Sequence, residues 1–209
     1  MIEHKGLFIR ENTYDKEIIN EIKRTYAWMC PEDENVLDVG ACFGGYSVLA
    51  HNQKAKLIHC FEPEVDNFNM VLKNCENKPN IVPFNYALVS GDQTEQSFYL
   101  TTGRNKGNFS LTQFRGRKEI KVKCKKFDEV LENLKPSTIK MDCEGAEYDL
   151  LQKPLPEYVK KITIEIHFSK KHWRNELAHK LISFFDDWKI HKKPLIGDKN
   201  WHTIGAWYR

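Results

Sequence analysis

The chain has 209 residues, 41% of them hydrophobic and 29% charged, with 32 basic side chains against 29 acidic ones and a net charge of +3. That composition excludes a disordered or fibrous chain, and the near balance of charge removes any requirement for a nucleic-acid partner. The length suits a single α/β domain over residues 1–209 with its own core. No apolar run approaches the ~20 residues of a membrane-spanning helix. The first residues, Met1-Ile-Glu-His-Lys-Gly6, carry charge where a secretion signal needs an apolar stretch. The expected location is therefore the cytoplasm. The six cysteines, at 30, 42, 60, 75, 124 and 143, contain no C-x-x-C pair. Neither a disulfide framework nor a zinc site is expected from them.

Residues 1–30 read as an arm followed by a helix. The arm, through residue 14, is irregular, with a short apolar patch at Leu7-Phe8-Ile9. Asp15 is placed to cap a helix running to about Trp28, since Ile18, Ile19, Ile22 and Tyr26 recur at helical spacing and Pro31 ends it. The stretch Asn35-Val-Leu-Asp-Val-Gly-Ala-Cys-Phe-Gly-Gly-Tyr-Ser-Val-Leu-Ala50 then reads as buried strand, glycine turn and helix. That is how α/β folds build a nucleotide pocket, with the ligand outside the carboxyl ends of the strands. A second strand ends at Glu62, close to the roughly 20-residue separation from Asp38 at which an acid reaches a ribose hydroxyl. Pro63 suits the first turn of the next helix. In that helix Val65, Phe68, Val71, Leu72 and Cys75 form an apolar face, and a third strand covers about 80–84. The alternation argues for a parallel sheet covered by helices.

Residues 95–125 break this rhythm. Gln96–Thr101 and Ile120–Cys124 read as strands around a turn-rich stretch, hence an antiparallel flap, or alternatively a loop that orders only on binding. A short helix spans Phe127–Leu134. The next stretch, Ser137-Thr-Ile-Lys-Met-Asp-Cys-Glu-Gly-Ala-Glu-Tyr-Asp-Leu-Leu151, repeats strand, glycine turn and helix, and gathers Asp142, Glu144 and Glu147 at one strand end. In the following strand, Lys161–Phe168, Glu165 and His167 share a face. A helix over about 172–188 should turn Trp173, Leu177, Leu181, Phe184, Phe185 and Trp188 inward, and two strand-like runs, near 188–192 and 202–208, close the chain as a hairpin. Trp201, Trp207 and Tyr208 read as exposed aromatics there, able to pack a dimer or to close the sheet.

Several of these stretches occur in one order: Asp38-Val-Gly-Ala with Gly44, then Phe61-Glu-Pro63, then Lys140-Met-Asp-Cys-Glu-Gly-Ala-Glu147. Together they resemble the FkbM family of S-adenosylmethionine-dependent methyltransferases. Asn12-Thr-Tyr-Asp15, Asn85-Tyr-Ala-Leu88, Lys126-Phe-Asp-Glu-Val-Leu131 and Ile164-Glu-Ile-His167 add smaller matches, so the resemblance covers most of the chain. It implies a class I methyltransferase fold: a seven-stranded, mostly parallel sheet with helices on both faces and an antiparallel last strand. It also implies methylation of hydroxyl groups on sugars or natural products, with S-adenosylhomocysteine as product. Family members usually carry Asn–Ile where this chain has Cys42-Phe43.

The expected site follows. Glu62, with the adjoining Pro63, is assigned to the cofactor ribose. Gly40, Ala41 and Gly44 let the backbone approach the methionine portion. Asp38 would hold the turn's amides or the cofactor ammonium, and Tyr86 and Ala87 would form the adenine wall. Asp142 stands between cofactor and acceptor. With Glu144 and His167 it forms the catalytic set, because crowded acids and a histidine titrating near neutrality suit a general base. Glu147, Glu165 and Arg104 are assigned to the acceptor, although Glu147 in a first helical turn would also serve merely to complement the dipole. Asp142, Glu144 and His167 are ligand types that suit magnesium or manganese, but the spacing establishes no metal and none is assigned. His59, mid-strand, reads as a core residue, and Lys140 is expected to reach an acid. Arg104, Lys106 and Arg115 in the flap favour, as alternatives, a nucleic-acid or nucleotide-sugar acceptor. A catalytically silent binding protein is the rival from another class. A nicotinamide dehydrogenase is disfavoured, because Cys42 breaks the G-x-G-x-x-G turn.

Overall fold

The computed structural model describes residues 1–100, 109–110, 118–167, 173–194 and 202–209. Arg104, Lys106, Arg115 and Trp201 therefore lie outside the described residues. Among those described, the strands are β1 (Ile2–His4), β2 (Leu7–Ile9), β3 (Asn35–Val39), β4 (Leu57–Phe61), β5 (Ile81–Phe84), β6 (Ala87–Val89), β7 (Glu95–Leu100), β8 (Phe109–Ser110), β9 (Lys118–Lys126), β10 (Thr138–Met141), β11 (Lys161–His167), β12 (Lys189–Lys192) and β13 (His202–Tyr208). The helices are α1 (Asp15–Tyr26), α2 (Gly45–Asn52), α3 (Val65–Cys75), α4 (Phe127–Leu134), α5 (Glu147–Leu150) and α6 (Trp173–Ser183). A 3₁₀ turn over Ala27–Met29 follows α1.

The main sheet has seven strands in the order β12-β13-β11-β10-β3-β4-β5. Neighbours from β11 to β5 run parallel, and β13 is antiparallel to both β11 and β12. The order reverses between β3 and β10. Successive strand residues point to opposite faces, so the sheet carries two cores. Leu37, Val39, Ile139, Met141, Ile162 and Ile164 pack beneath α4, α5 and α6. On the other face Val36 and Ile58 meet Phe43 and Tyr46 of the turn and α2, Met70 and Val71 of α3, and Ile19 and Ile22 of α1. A second sheet, β6-β9-β7-β8, has its own small core of Ala87, Val89, Phe98, Val122 and Cys124. The antiparallel flap is thus β7 on β9, and β6 ties it in parallel to the segment after β5.

Several elements differ from the sequence expectation. The arm is a hairpin rather than irregular. Lys5 and Gly6 both take positive φ (52° and 77°), as a two-residue turn between strands requires. Asp15 does not cap α1: Tyr14 occupies that position, and the Asp15 carboxylate is taken by the Arg10 guanidinium and main-chain N–H. Pro63 precedes the next helix, which Glu64 caps by accepting from Asn67 N–H at 2.7 Å. The buried face of α3 is rotated, with Val65 (57%) and Leu72 (48%) exposed while Asn67 and Asn74 are buried. Asn74 earns that position by bonding Phe8 on both main-chain groups and the Phe43 carbonyl. Leu177 faces outward on α6, whereas Leu181, Phe185 and Trp188 face in. Trp207 is not an exposed aromatic: it is 1% accessible and stacks on Phe185 at 4.5 Å. Among the described residues no helix is long and apolar enough to cross a membrane.

Candidate active site

The turn between β3 and α2 is built by close backbone contacts. Gly40 has φ +77°, and a Cβ there would stand 1.8 Å from the Asp142 carbonyl oxygen. Only glycine lets β3 and β10 end side by side. The amides of Gly40 and Ala41 both donate to the Phe61 carbonyl at 3.0 Å, and Gly44 donates to Ala41 at 2.8 Å. Cys42 is held at φ +54°, and its N–H donates to Glu62 Oε2 at 2.8 Å. The Cys42 amide is therefore held by Glu62, so of the two roles expected for Asp38 it does not take that of holding this amide. Asp38 is fully buried and accepts from Ser47 Oγ at 2.7 Å, while Lys140 Nζ approaches its other oxygen at 3.3 Å. Lys140 also donates to the Gly40 carbonyl at 2.5 Å, so a buried lysine braces the turn from β10. Gly44 does not face the cavity: a Cβ there would meet Val71 and Cys75, so its role is α2–α3 packing.

Glu62 directly follows β4 and is 2% exposed. Besides Cys42 N–H, its carboxylate accepts from Glu64 N–H at 2.9 Å and faces the Asn67 amide at 3.5 Å. Asn67 accepts in turn from Arg10 at 2.6 Å. Burial raises the Glu62 pKa to about 8, against the partial offset of the two backbone donors.

Above the turn lies a cavity of about 520 Å³. Its floor includes Gly40, Ala41, Cys42, Glu62 and Pro63, and Tyr86 and Ala87 form a wall with Phe61, Leu88 and Phe98. The lining also includes Asp142, Glu144, Glu165, His167 and His202. His167 Nε2 stands 3.4 Å from Glu144 and 3.6 Å from Glu165, and its Nδ1 stands 3.3 Å from Glu147. Burial opposes charge on His167, but the nearby carboxylates of Glu147, Glu144 and Asp142 outweigh it and push the pKa up to about 10. Burial, then the charge of Asp142, pushes Glu165 up to about 9. The surrounding carboxylates thus favour the imidazolium form of His167 over the free base that a proton acceptor needs. Glu147 does not face the acceptor space. It is fully buried and accepts from Gly145 N–H at 2.8 Å and His167 N–H at 2.5 Å, locking the Glu144–Gly145 turn to β11. Glu144 itself sits at φ +54°, a conformation that costs a non-glycine residue on the order of 1 kcal/mol or more and recurs at functional sites.

Residue-by-residue reading of the sequence missed the roof. Tyr14, Glu17, Ile18, Glu21, Ile22 and Tyr26 of the entry segment and α1 all line the cavity. Glu17 and Glu21 beside Ile18 and Ile22 look like the edge of any amphipathic helix, so the sequence held no distinct signal for this role. Lys140 reaches an acid as expected, but it also faces the cavity. His59 is 9% exposed and lies against Phe84 with ring centroids 6.0 Å apart.

A seven-stranded sheet of this order, reversed at its last strand, with a cavity over the strand ends where the order switches, defines a class I methyltransferase fold. The Methyltransferase FkbM domain model matches residues 38–190, more than half of the chain. The chain belongs to the FkbM methyltransferase family. No curated protein sequence matches it. Among solved structures it is similar to precorrin-6y C5,15-methyltransferase of Geobacter metallireducens GS-15, with TM-score 0.54, 12% identity, and 99% of this chain and 100% of that one covered. It is also similar to the precorrin 8w decarboxylase of Methanobacterium thermoautotrophicum, with TM-score 0.50, 8% identity and 100% of both chains covered. A third is the FkbM methyltransferase of Methylobacillus flagellatus KT, with TM-score 0.48, 17% identity and 84% of this chain covered. This chain spans 44% of the length of that Methylobacillus protein.

Proposed function

We propose that the chain transfers a methyl group from S-adenosylmethionine to a hydroxyl oxygen of a sugar or other small polyhydroxylated acceptor, in the cytoplasm. The observation that carries this reading is one cavity whose lining combines a glycine turn, a buried carboxylate and a cluster of acids. Its volume, about 520 Å³, lies within the ~300–1,000 Å³ usual for cofactor-sized ligands. The residues fit the cofactor: Gly40 lines the cavity with bare backbone, and Glu62 keeps acceptor lone pairs beyond those its two backbone donors use.

When bound, S-adenosylmethionine supplies an electrophilic methyl group on sulfur and becomes the neutral thioether S-adenosylhomocysteine. Glu62 would accept from the ribose hydroxyls beside Pro63, with Tyr86 and Ala87 against the adenine. Gly40 and Ala41 would meet the methionine portion on a turn that Asp38 and Lys140 hold rigid. Asp142 and Glu165 would orient acceptor hydroxyls. Glu144 would take the proton that the attacking oxygen loses as it gains the methyl group, since its strained turn holds it at the cavity. Arg104 keeps its assignment to the acceptor as an expectation only. Glu17, Glu21 and Glu144 give the cavity an acidic lining that repels a polyanion, so a nucleic-acid acceptor has less support.

Calorimetric titration with S-adenosylhomocysteine, with Glu62→Ala as control, tests the reading. We expect binding to the wild type and a loss of at least tenfold in the variant. Absence of binding to the wild type would overturn the reading in favour of a silent binding protein.

A further inference from the structure

The acidic cluster in the cavity has the make-up of a metal centre. Asp142 at the end of β10 and Glu165 and His167 on β11 each offer one ligand atom, and these atoms all lie within 4.8 Å of one another. Ligands about 2.1–2.4 Å from a single hard cation stand roughly 3–4.5 Å apart, so the atoms already surround the volume of one ion with little movement. The set is not a patch of surface acids. It combines two carboxylates and an imidazole from adjacent strands, and all three residues face the cavity.

A second observation lies behind the histidine. Glu147, fully buried and outside the ligand set, accepts the His167 main-chain N–H at 2.5 Å and stands 3.3 Å from Nδ1. Nδ1 is itself buried with no hydrogen bond of good geometry. Glu147 thereby turns Nε2 toward Glu165 at 3.6 Å and Glu144 at 3.4 Å. A carboxylate behind the far ring nitrogen is the arrangement that fixes the tautomer and orientation of a metal-ligating histidine. An ion bound at Nε2 would take the place of the imidazolium proton.

We infer that Asp142, Glu165 and His167 hold one divalent cation of the magnesium–manganese class, with its open positions toward the acceptor space. Two hard oxygen ligands with one imidazole suit manganese at least as well as magnesium. The catalytic use of the ion rests on the methyl-transfer reading above. An acceptor hydroxyl oxygen held by the ion ionises more readily. Its proton passes to Glu144, the oxygen–methyl bond forms as the sulfur–methyl bond breaks, and the sulfonium leaves as the thioether.

The test uses Mn²⁺ alone, followed by loss of the free-ion electron paramagnetic resonance signal. The wild-type chain should take up one Mn²⁺. Asp142→Asn and Glu165→Gln should each weaken uptake at least tenfold, and Glu147→Gln by about 10–100-fold through the misdirected imidazole. Glu17→Gln, which removes a cavity acid outside the set, should leave uptake unchanged. No stoichiometric uptake by the wild type would overturn the site, as would equal weakening by Glu17→Gln, which would mark diffuse screening rather than ligation. S-adenosylhomocysteine titrated into the same samples separates the two questions. Binding retained without Mn²⁺ uptake sinks the metal site and leaves the methyl-transfer reading standing.

Discussion

Glu62 is asked to be both buried and charged, and the two demands pull its pKa in opposite directions. Burial wins in the empty cavity, leaving the group near 8. Ribose hydroxyls donate more strongly to the ionised form than to the protonated one, so binding should draw the pKa down. At pH 7 the binding of S-adenosylhomocysteine should then release up to one proton, and affinity should rise as pH climbs from about 6.5 through 8. Titrations in two buffers of different ionisation enthalpy measure that proton, and an unchanged count in Glu62→Gln would refute the assignment. The sign for stability is the reverse: the raised carboxyl favours the folded chain below its ordinary value of 4.5, and that contribution is lost as pH rises through 8. At this scale the sequence was legible where chemistry is unusual for its place. An acid closing an apolar strand marked Glu62, and a triplet of acids marked the acidic cluster. It left the charge of His167 open, because a histidine's pKa depends on Glu147 and Glu144 twenty or so residues away, whose carboxylates only the fold brings to the ring.

Elements with a strong period were readable, and elements joined by polar side chains were not. α4 ends where its apolar face and the following Lys135 in a left-handed cap require, and β3, β4 and β10 follow their apolar runs. The buried face of α3 was misread because asparagine looks polar until its partners are known. Asn74 sews the β1–β2 hairpin to the turn ahead of α2 through bonds to Phe8 and Phe43. Asn74→Ala would leave buried main-chain groups unpaired, at about 1–3 kcal/mol. Amide hydrogen exchange should show residues 2–9 losing protection while β3 and β10 keep theirs, and a hairpin protected as before would show that other contacts hold it. The same reasoning explains the turn after β10. Gly145 at φ +105° and Glu144 at φ +54° need the buried Glu147 beneath them, a dependence that residue types suggest but cannot establish.

The sheet is continuous from β12 to β5, and both of its cores share it. We therefore propose that the chain unfolds as one domain, and expect a single calorimetric transition. A ligand at 100 times its dissociation constant adds about 2.7 kcal/mol. For a chain of this length S-adenosylhomocysteine should raise Tm by on the order of 5–10 °C without splitting the transition, and a split endotherm would separate the flap from the rest. By itself the sequence determined the parallel α/β architecture, the glycine turn, and the acids at the strand ends, because these depend on short-range periodicity and backbone freedom. Only the tertiary structure decided that α1 roofs the cavity, that Lys140 braces the turn, and that Asp142, Glu165 and His167 converge. Those facts depend on which strand ends lie side by side in the folded sheet, and local spacing carries no record of that distance.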